Sequence, residues 1–309
     1  MFKKINFTTK LFTLFLILSG LACFIFNFSN TPTSKDVFNL CNNEGIFYED
    51  LNGDGKSDTI LLERTNDGLI SQINLNDNIT YSLDYDKDLQ TLGELCDYWP
   101  IRISTPNITN SKFKDIVIQS SFHNKAIQHV FSWNKSKYSD LFCSTNNIVG
   151  INHNFDGETT KLFSGNFAND NIYINEYLYT DESLIEINFS ETNLLPDIDT
   201  INDFICFIES VPCLPLNLPD YINPQIKGND IQKLSSLFEN SNSLTFQDGY
   251  FTNLPFNKDD SIKSNNWKLN FRVTSNLNYN DVNSITINLT TSIYENNHSL
   301  PPITSLTIN

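Results

Sequence analysis

Beyond residue 32, short segments rich in β-branched and aromatic residues alternate with clusters of Asn, Asp and Gly. Typical segments are TILLER at Thr59–Arg64 and IVIQ at Ile116–Gln119, which alternate in part between apolar and polar side chains. Helical spacing of apolar residues predicts one short helix, at 228–240 in GNDIQKLSSLFEN. The pattern therefore predicts an all-β fold. The other predicted strands cover residues 69–75, 130–133, 172–179, 184–189, 267–274 and 282–294.

The composition limits the classes of protein that this chain can belong to. Its 309 residues are 39% hydrophobic and 18% charged, with a formal net charge of −16. The apolar fraction is large enough for a core, so the chain is neither a disordered polyanion nor a multi-pass membrane protein. The acidic excess lacks the clustered Lys and Arg that bind phosphate backbones, so no nucleic-acid partner is predicted. A hard cation is compatible with this charge.

Three lysines among the first ten residues precede an uncharged apolar stretch, residues 11–28. This arrangement is typical of a membrane anchor or an export signal. At about 1.5 Å per residue the stretch approaches the ~30 Å thickness of the bilayer core, which favours an uncleaved single-pass anchor. Cleavage after Ala22 and acylation of Cys23, as in a lipoprotein, are the alternatives. All three place residues 33–309 outside the cytoplasm and assign residues 1–32 to the signal-anchor helix and a linker.

The segment Asp50–Asp58, DLNGDGKSD, carries oxygen-bearing side chains at alternate positions. Its two glycines allow the tight, left-handed turn that brings such side chains to one point. Carboxylate, amide and carbonyl oxygens are hard donors, which suit Ca²⁺ better than zinc or copper. We therefore predict a calcium site that forms part of the fold. The predicted ligands are the side chains of Asp50, Asn52, Asp54 and Asp58 and the backbone carbonyl of Lys56.

Two families that share the opening of this loop do not fit. An EF-hand requires Glu where this chain has Leu61, and a dockerin requires a second loop followed by a helix. Aromatic Phe47 and Tyr48 precede the loop, and the apolar run Thr59–Leu62 follows it directly. This arrangement resembles the FG-GAP/VCBS-type calcium-binding repeats of propeller-like extracellular proteins. The resemblance implies a propeller-like array of short antiparallel sheets and a role in adhesion or accessory recognition. A metal-free acidic Asn-Gly hairpin is the alternative.

Two later segments keep part of the loop pattern. Residues 107–115, NITNSKFKD, retain Asp115 at the ninth position but have hydroxyl residues in place of the acidic ligands. Residues 154–162 are a weaker copy that lacks the ninth-position Asp. The three segments start at 50, 107 and 154, so they lie 57 and 47 residues apart, close to the length of a four-stranded blade. About five blades would fill residues 33–309, with a proline-rich stretch near 195–224 where the domain could divide.

Five cysteines follow the anchor, an odd number that leaves one thiol over if the other four are bridged. Cys206 and Cys213 are the closest pair in the sequence and the first candidate disulfide. Five unpaired buried thiols are the alternative. The spacing shows no CxxC motif and no Cys/His cluster, so a zinc site is not expected.

No sequence pattern identifies catalytic residues. The four histidines are scattered, and the motifs of serine hydrolases, zinc proteases and phosphate-binding loops do not occur. A second cation site, or else an acidic strand face, would comprise Asp84, Asp86 and Asp88. A carbohydrate-binding patch, or else part of the core, would comprise Tyr98, Trp99 and Trp133.

These features predict a calcium-binding extracellular protein, held to the membrane through residues 11–28, with a binding, adhesion or structural role. Its ligand would be a protein or glycan at the cell surface. The alternative is a surface hydrolase that acts on carbohydrate or lipid through carboxylates that the sequence does not pair. A pocket with two carboxylates of different pKa would favour the hydrolase, and calcium alone would favour the binding protein.

Overall fold

The computed structural model describes most of the chain after residue 38. The described residues are 39–40, 45–65, 68–76, 79–85, 89–153, 159–187, 195–210, 218–224, 226, 228–239, 242–253, 264–275, 281–292 and 300–309. The predicted anchor at residues 11–28 lies outside them. Among the described residues, no helix combines the length and the apolar character needed to cross a membrane.

Eighteen strands and two helices form the regular structure of the described residues, which confirms the β-rich class. The four-stranded sheet contains β2 (Ile46–Glu49), β3 (Asp58–Thr65), β4 (Gly68–Asn74) and β5 (Thr80–Tyr81). The six-stranded sheet contains β1 (Asn39–Leu40), β6 (Leu83–Asp84), β7 (Arg102–Ser104), β8 (Ile116–Phe122), β9 (Lys125–Trp133) and β10 (Tyr138–Ser144). The eight-stranded sheet contains β11 (Ile148–His153), β12 (Thr160–Ala168), β13 (Asn171–Thr180), β14 (Ser183–Ile187), β15 (Asn242–Asn253), β16 (Ser264–Ser275), β17 (Val282–Ser292) and β18 (Ile303–Ile308).

Most of these strands belong to four consecutive antiparallel meanders of four strands, which we call units 1 to 4. They are β2–β5, β7–β10, β11–β14 and β15–β18. Strands β1 and β6 extend opposite edges of unit 2, and units 3 and 4 share one sheet because β11 pairs in parallel with β15. The described strands therefore form three sheets of four, six and eight strands, whereas the sequence predicts about five separate blades.

Unit 2 packs between units 1 and 3 and is buried on both faces. On β8, Ile116 and Ile118 join a hydrophobic cluster with Ile60 of unit 1, and the intervening Val117 joins another with Val149 of unit 3. Successive side chains of a strand point to opposite faces, so an uninterrupted apolar run suits a strand covered on both sides. The run IVI in β8 thus reflects its place in the middle of the molecule.

Two helices, α1 (Ile198–Glu209) and α2 (Gly228–Glu239), pack on the eight-stranded sheet. Helix α2 confirms the helix predicted at 228–240. Helix α1 was not predicted, and it lies within the proline-rich region near 195–224. Its buried residues follow one helical face and complete the core beneath units 3 and 4.

A buried carboxylate fastens the start of α1 to the sheet. Asp197 accepts hydrogen bonds from Trp267 Nε1 at 2.8 Å, Asn265 Nδ2 at 2.9 Å and Thr291 Oγ1 at 2.6 Å. Burial raises the pKa of Asp197, and the three donors act in the opposite direction. Because all four groups are buried, loss of the carboxylate would leave the Trp267 and Asn265 donors without this acceptor, while Thr291 would keep its second bond, to the carbonyl of Asn265.

Candidate functional site

The predicted calcium loop is the turn of the first hairpin in unit 1. Strands β2 and β3 pair antiparallel as far as Asp58, and residues 50–57 form the connection. Gly53 and Gly55 have φ angles of 69° and 82°, the left-handed region for which glycine is suited. Leu51 is fully buried, so the base of the turn is fixed to the core.

Asp50 organises this turn through both carboxylate oxygens. Its Oδ1 accepts the backbone N–H groups of Gly53 at 2.8 Å and Asp54 at 3.2 Å, and its Oδ2 accepts that of Gly55 at 2.9 Å. Three donors from one short segment hold the carboxylate toward the inside of the turn. This is the position that the first ligand of a calcium loop occupies.

The next two predicted ligands also turn inward. Asn52 Oδ1 accepts the N–H of Asp54 at 2.9 Å, and Asp54 Oδ1 accepts the N–H of Lys56 at 2.8 Å. Asn52 Nδ2 donates to the carbonyl of Leu75 at 3.3 Å, on the side away from the turn. This bond orients the amide so that its oxygen, rather than its nitrogen, faces the aspartates of the turn.

Asp58 closes the loop from the strand side and is buried. Its Oδ2 accepts the N–H of Leu51 at 2.8 Å, and its Oδ1 accepts Asn76 Nδ2 at 3.0 Å. Burial raises the pKa of Asp58, and the nearby carboxylate of Asp54 raises it further. A cation in the turn would offset both effects, because it favours the charged form of each carboxylate.

The chemistry of the donors in this turn suits a hard divalent cation, and the calcium site itself stays a prediction. It brings Asp50, Asn52, Asp54 and Asp58 into one nine-residue connection, with three carboxylates and one correctly oriented amide oxygen. Lys56 lies in the same turn, and the use of its carbonyl as a ligand stays a prediction. Oxygen donors at this density are typical of calcium loops.

The segment 107–115 shares two backbone hydrogen bonds with the predicted calcium loop, both to the aspartate at its ninth position. It joins the first two strands of unit 2, as the calcium loop joins the first two strands of unit 1. Asp115 Oδ2 accepts the N–H groups of Ile108 at 2.7 Å and Thr109 at 2.8 Å, which lie seven and six residues before it. Asp58 accepts backbone N–H groups at the same two offsets.

The two loops differ in charge. Thr109 and Ser111 occupy the third and fifth positions, where the calcium loop has Asn52 and Asp54. The hydroxyl of Thr109 donates to the carboxylate of Asp115 at 2.9 Å, which supplies a neutral partner. This arrangement agrees with a loop that keeps its shape with little affinity for calcium. In the third predicted copy, residues 154–158 lie outside the described residues.

The tryptophans of the predicted carbohydrate patch are buried. Trp133 stacks on Phe113 with ring centroids 4.5 Å apart and packs against the core between units 1 and 2. Trp99 is 7% exposed, and its indole N–H donates to Asp248. Tyr98 is half-buried beside it. These aromatics therefore contribute to packing, which is the second of the two interpretations of the sequence.

Two further predictions concern charged and sulfur-containing side chains. Asp84 forms an exposed ion pair with Lys137, while Asp86 and Asp88 lie outside the described residues. Cys206 is a free thiol whose sulfur contacts the carbonyl of Asp170 at 3.7 Å. Cys213, the other half of the predicted disulfide, lies outside the described residues.

Folding also assembles a cluster that the sequence did not predict. One ligand atom each from His129, Asp140 and Cys143 lie within 4.8 Å of one another. The spacing of Cys and His in the sequence does not show this cluster. The cluster could not be predicted from the sequence because His129 belongs to β9 and the other two residues to β10. Only the register of these two strands brings the three side chains together.

A polar cavity of about 490 Å³ opens beside Trp99, between residues of units 2, 3 and 4. Its lining includes the cations Lys125 and Arg272 and no carboxylate. Gln247 is buried there, donates to the carbonyl of Tyr98 at 2.9 Å, and has an Oε1 atom without a hydrogen-bond partner among the described residues. The remaining lining residues are Asn124, Ala126, Thr145, Asn147, Asn166, Thr245 and Phe246. Such a lining suits a polar or anionic ligand.

The described chain is thus a β-rich protein of four four-stranded units, with an acidic turn in the first and a polar cavity beside the other three. No protein-family model, curated protein or solved structure matches this chain.

Proposed function

We propose that this chain is a calcium-binding extracellular protein with a binding, adhesion or structural role at the cell surface. In this proposal residues 11–28 hold it in the membrane, or direct its secretion or lipid attachment, and the β units face outward. The observation that carries the proposal is the turn Asp50–Asp58. Its side-chain oxygens are held inward by the backbone of the same turn, as in a site built around a hard cation.

The order of the strands supports a repeat of the FG-GAP/VCBS type. The three segments that begin at residues 50, 107 and 154 each fall between the first and second strands of a unit. Units 1 and 2 pack face to face, and so do units 2 and 3, which suits a propeller-like array. On this proposal, calcium orders the first unit, while the later units keep the fold with fewer acidic ligands.

The cavity beside Trp99 supports a binding role over the hydrolase alternative. A hydrolase of the predicted kind needs two carboxylates that face one pocket. Among the described residues, this cavity is lined by no carboxylate, and the cavity beside Ile222 is lined by a single carboxylate, that of Asp220. The amides and cations of the larger cavity instead suit recognition of a surface ligand.

Thermal unfolding of the full-length protein with calcium or with a chelator tests the calcium assignment. An ion that binds only the folded state stabilises it by about 2.7 kcal/mol at a hundred times its dissociation constant. For a chain of this size, that raises the midpoint by about 4–5 °C. Asp54→Ala removes a ligand and should abolish the shift.

Asp203→Ala is the matched control, because it removes an exposed aspartate on α1, away from the turn. It should keep the full calcium-dependent shift. Equal midpoints of the wild-type protein in calcium and in chelator would mean that the turn is an acidic hairpin without metal. A shift retained in Asp54→Ala would place the calcium elsewhere.

A further inference from the structure

We propose that His129, Asp140 and Cys143 bind a transition-metal ion of the zinc class, at a site separate from the calcium loop. Their nitrogen, oxygen and sulfur atoms lie within 4.8 Å of one another. Two donors on one tetrahedral ion are about 3–4 Å apart, so small side-chain movements would let all three share an ion. His129 is fully buried, and Cys143 is partly exposed.

A β-bulge places the three side chains on one face of the strand pair. In the register of β9 and β10, His129 lies opposite Cys143, and Phe131 lies opposite Asp140. Asp140 and Cys143 are three residues apart, so a regular strand would point them to opposite faces. The register shifts after Asp140 and leaves Leu141 as an extra residue, which restores both side chains to the face of His129.

The hydrogen bonds of His129 direct the lone pair of its Nδ1 into the cluster. Nε2 lies 3.0 Å from the carbonyl oxygen of Thr91, which can only accept, so Nε2 carries the hydrogen. In the neutral ring, Nδ1 then presents its lone pair to Asp140 Oδ2, 2.8 Å away. Two acceptors at this distance need a positive charge between them. Metal-ligating histidines commonly donate their other N–H to a carbonyl in this way.

A proton on Nδ1 would supply the same charge and leave a buried ion pair between His129 and Asp140. A metal ion, by contrast, would use all three donors. A mixed nitrogen, oxygen and sulfur set suits Zn²⁺ rather than Ca²⁺ or Mg²⁺, which prefer oxygen alone. Three protein ligands also leave the fourth position of a tetrahedral ion open, as in zinc sites that bind water or a substrate.

Cobalt substitution in the full-length protein tests this site. The protein is reduced, stripped of transition metals with a chelator, kept in excess calcium, and titrated with Co²⁺ and then Zn²⁺. We expect one equivalent of Co²⁺ to give the near-ultraviolet charge-transfer band of a cobalt–thiolate bond, and Zn²⁺ to remove it. A folded wild-type protein that gives no such band would overturn the proposal.

Matched thiol variants locate the bound ion. Cys143→Ser should lose the cobalt–thiolate band, while Cys96→Ser and Cys206→Ser, which remove thiols outside the cluster, should keep it. His129→Gln should weaken Zn²⁺ binding by at least about tenfold, with circular dichroism confirming that the variant is folded. A band that survives in Cys143→Ser, or disappears in either control, would contradict the assignment.

Asp54→Ala separates the two metal sites. It should lose the calcium-dependent shift in unfolding and keep the cobalt band, because the calcium loop shares no ligand with the cluster. Cys143→Ser should show the reverse behaviour. Loss of the cobalt band in folded Asp54→Ala would contradict a site formed by His129, Asp140 and Cys143.

Discussion

Two buried aspartates, Asp58 and Asp115, end their loops with the same pair of backbone hydrogen bonds but have different neighbours. Asp58 shares its turn with Asp50 and Asp54, so like charges raise the free energy of the charged form. Asp115 has no acidic side chain at the equivalent positions, and its carboxylate accepts the hydroxyl of Thr109. A cation would balance the acidic side chains of the first loop, whereas the second loop carries Lys112 and Lys114 beside its one buried carboxylate.

The titration of Asp115 predicts a pH dependence of stability. Burial raises its pKa from the ordinary 3.8 to about 6, against the hydrogen bonds from Thr109 and Ile108. Between these values the folded state holds a proton that the unfolded state has released. The contribution of Asp115 to stability is therefore present below pH 4 and lost as the pH rises to about 6.

Asp115→Asn removes this titration. The free energy of unfolding of the variant, relative to that of the wild-type protein, should rise by up to about 3 kcal/mol between pH 4 and pH 7. Chemical denaturation at several pH values in this range measures the difference. Asp203→Asn, at an exposed site, should show a difference that does not vary with pH. A flat difference for Asp115→Asn would mean that Asp115 titrates normally.

At the scale of elements, the local sequence pattern predicted many of the strands but did not predict helix α1. Strands β3, β8 and β17 coincide with predicted segments because their apolar residues are contiguous or alternate. Helix α1 has buried residues at a spacing of three and four, but it lies between Pro196 and Pro212. Those prolines flank the helix without interrupting it, so they exclude a strand and not a helix.

The candidate sites also show that local sequence pattern does not predict features that depend on strand pairing. A calcium site could be proposed from the sequence because all the expected donors lie within nine consecutive residues, Asp50–Asp58, and the structure shows the turn but does not test the ion. The cluster of His129, Asp140 and Cys143 could not, because it depends on which strands pair and on one bulge. The joining of units 3 and 4 through β11 and β15 is likewise a long-range pairing that local pattern does not record.

Helix α1 is expected to stabilise the eight-stranded sheet through its apolar face. Phe204 is fully buried in the core beneath units 3 and 4. Phe204→Ala should lower the free energy of unfolding by about 3–5 kcal/mol, because it removes a large side chain and leaves a cavity. Chemical denaturation followed by circular dichroism measures this change.

Asp203→Ala, next to it on the exposed face, should change the free energy of unfolding by less than about 0.5 kcal/mol. A similarly small change for Phe204→Ala would contradict the packing of α1 on the sheet.

At the scale of the whole molecule, a buried ion pair connects unit 2 to unit 4. Arg102 Nη1 on β7 lies 2.7 and 2.8 Å from the two carboxylate oxygens of Asp248 on β15. Trp99 Nε1 and Asn270 Nδ2 also donate hydrogen bonds to the carboxylate of Asp248. Burial lowers the pKa of Arg102, and the neighbouring carboxylate opposes that change. Because a guanidinium loses its proton only with great difficulty, Arg102 keeps its charge in this setting.

This ion pair joins two sheets. Removing either partner should lower the free energy of unfolding. Arg102→Met leaves the buried carboxylate of Asp248 without its cation, and Asp248→Asn leaves the buried guanidinium without its anion. Each single variant should lose about 3–5 kcal/mol of stability, measured by denaturation followed through tryptophan fluorescence, to which Trp99 contributes. The double variant should lose less than the sum, because it leaves no unpaired buried charge.

The exposed pair of Lys137 and Asp84 provides the control for this cycle. Both of its side chains are more than half exposed, so water screens the charges, and Lys137→Met should cost no more than about 1 kcal/mol. If Arg102→Met were equally mild, or if its effect simply added to that of Asp248→Asn, the ion pair would contribute little to holding the two sheets together. A large coupling between Arg102 and Asp248 would show that units 2 and 4 depend on each other for their alignment.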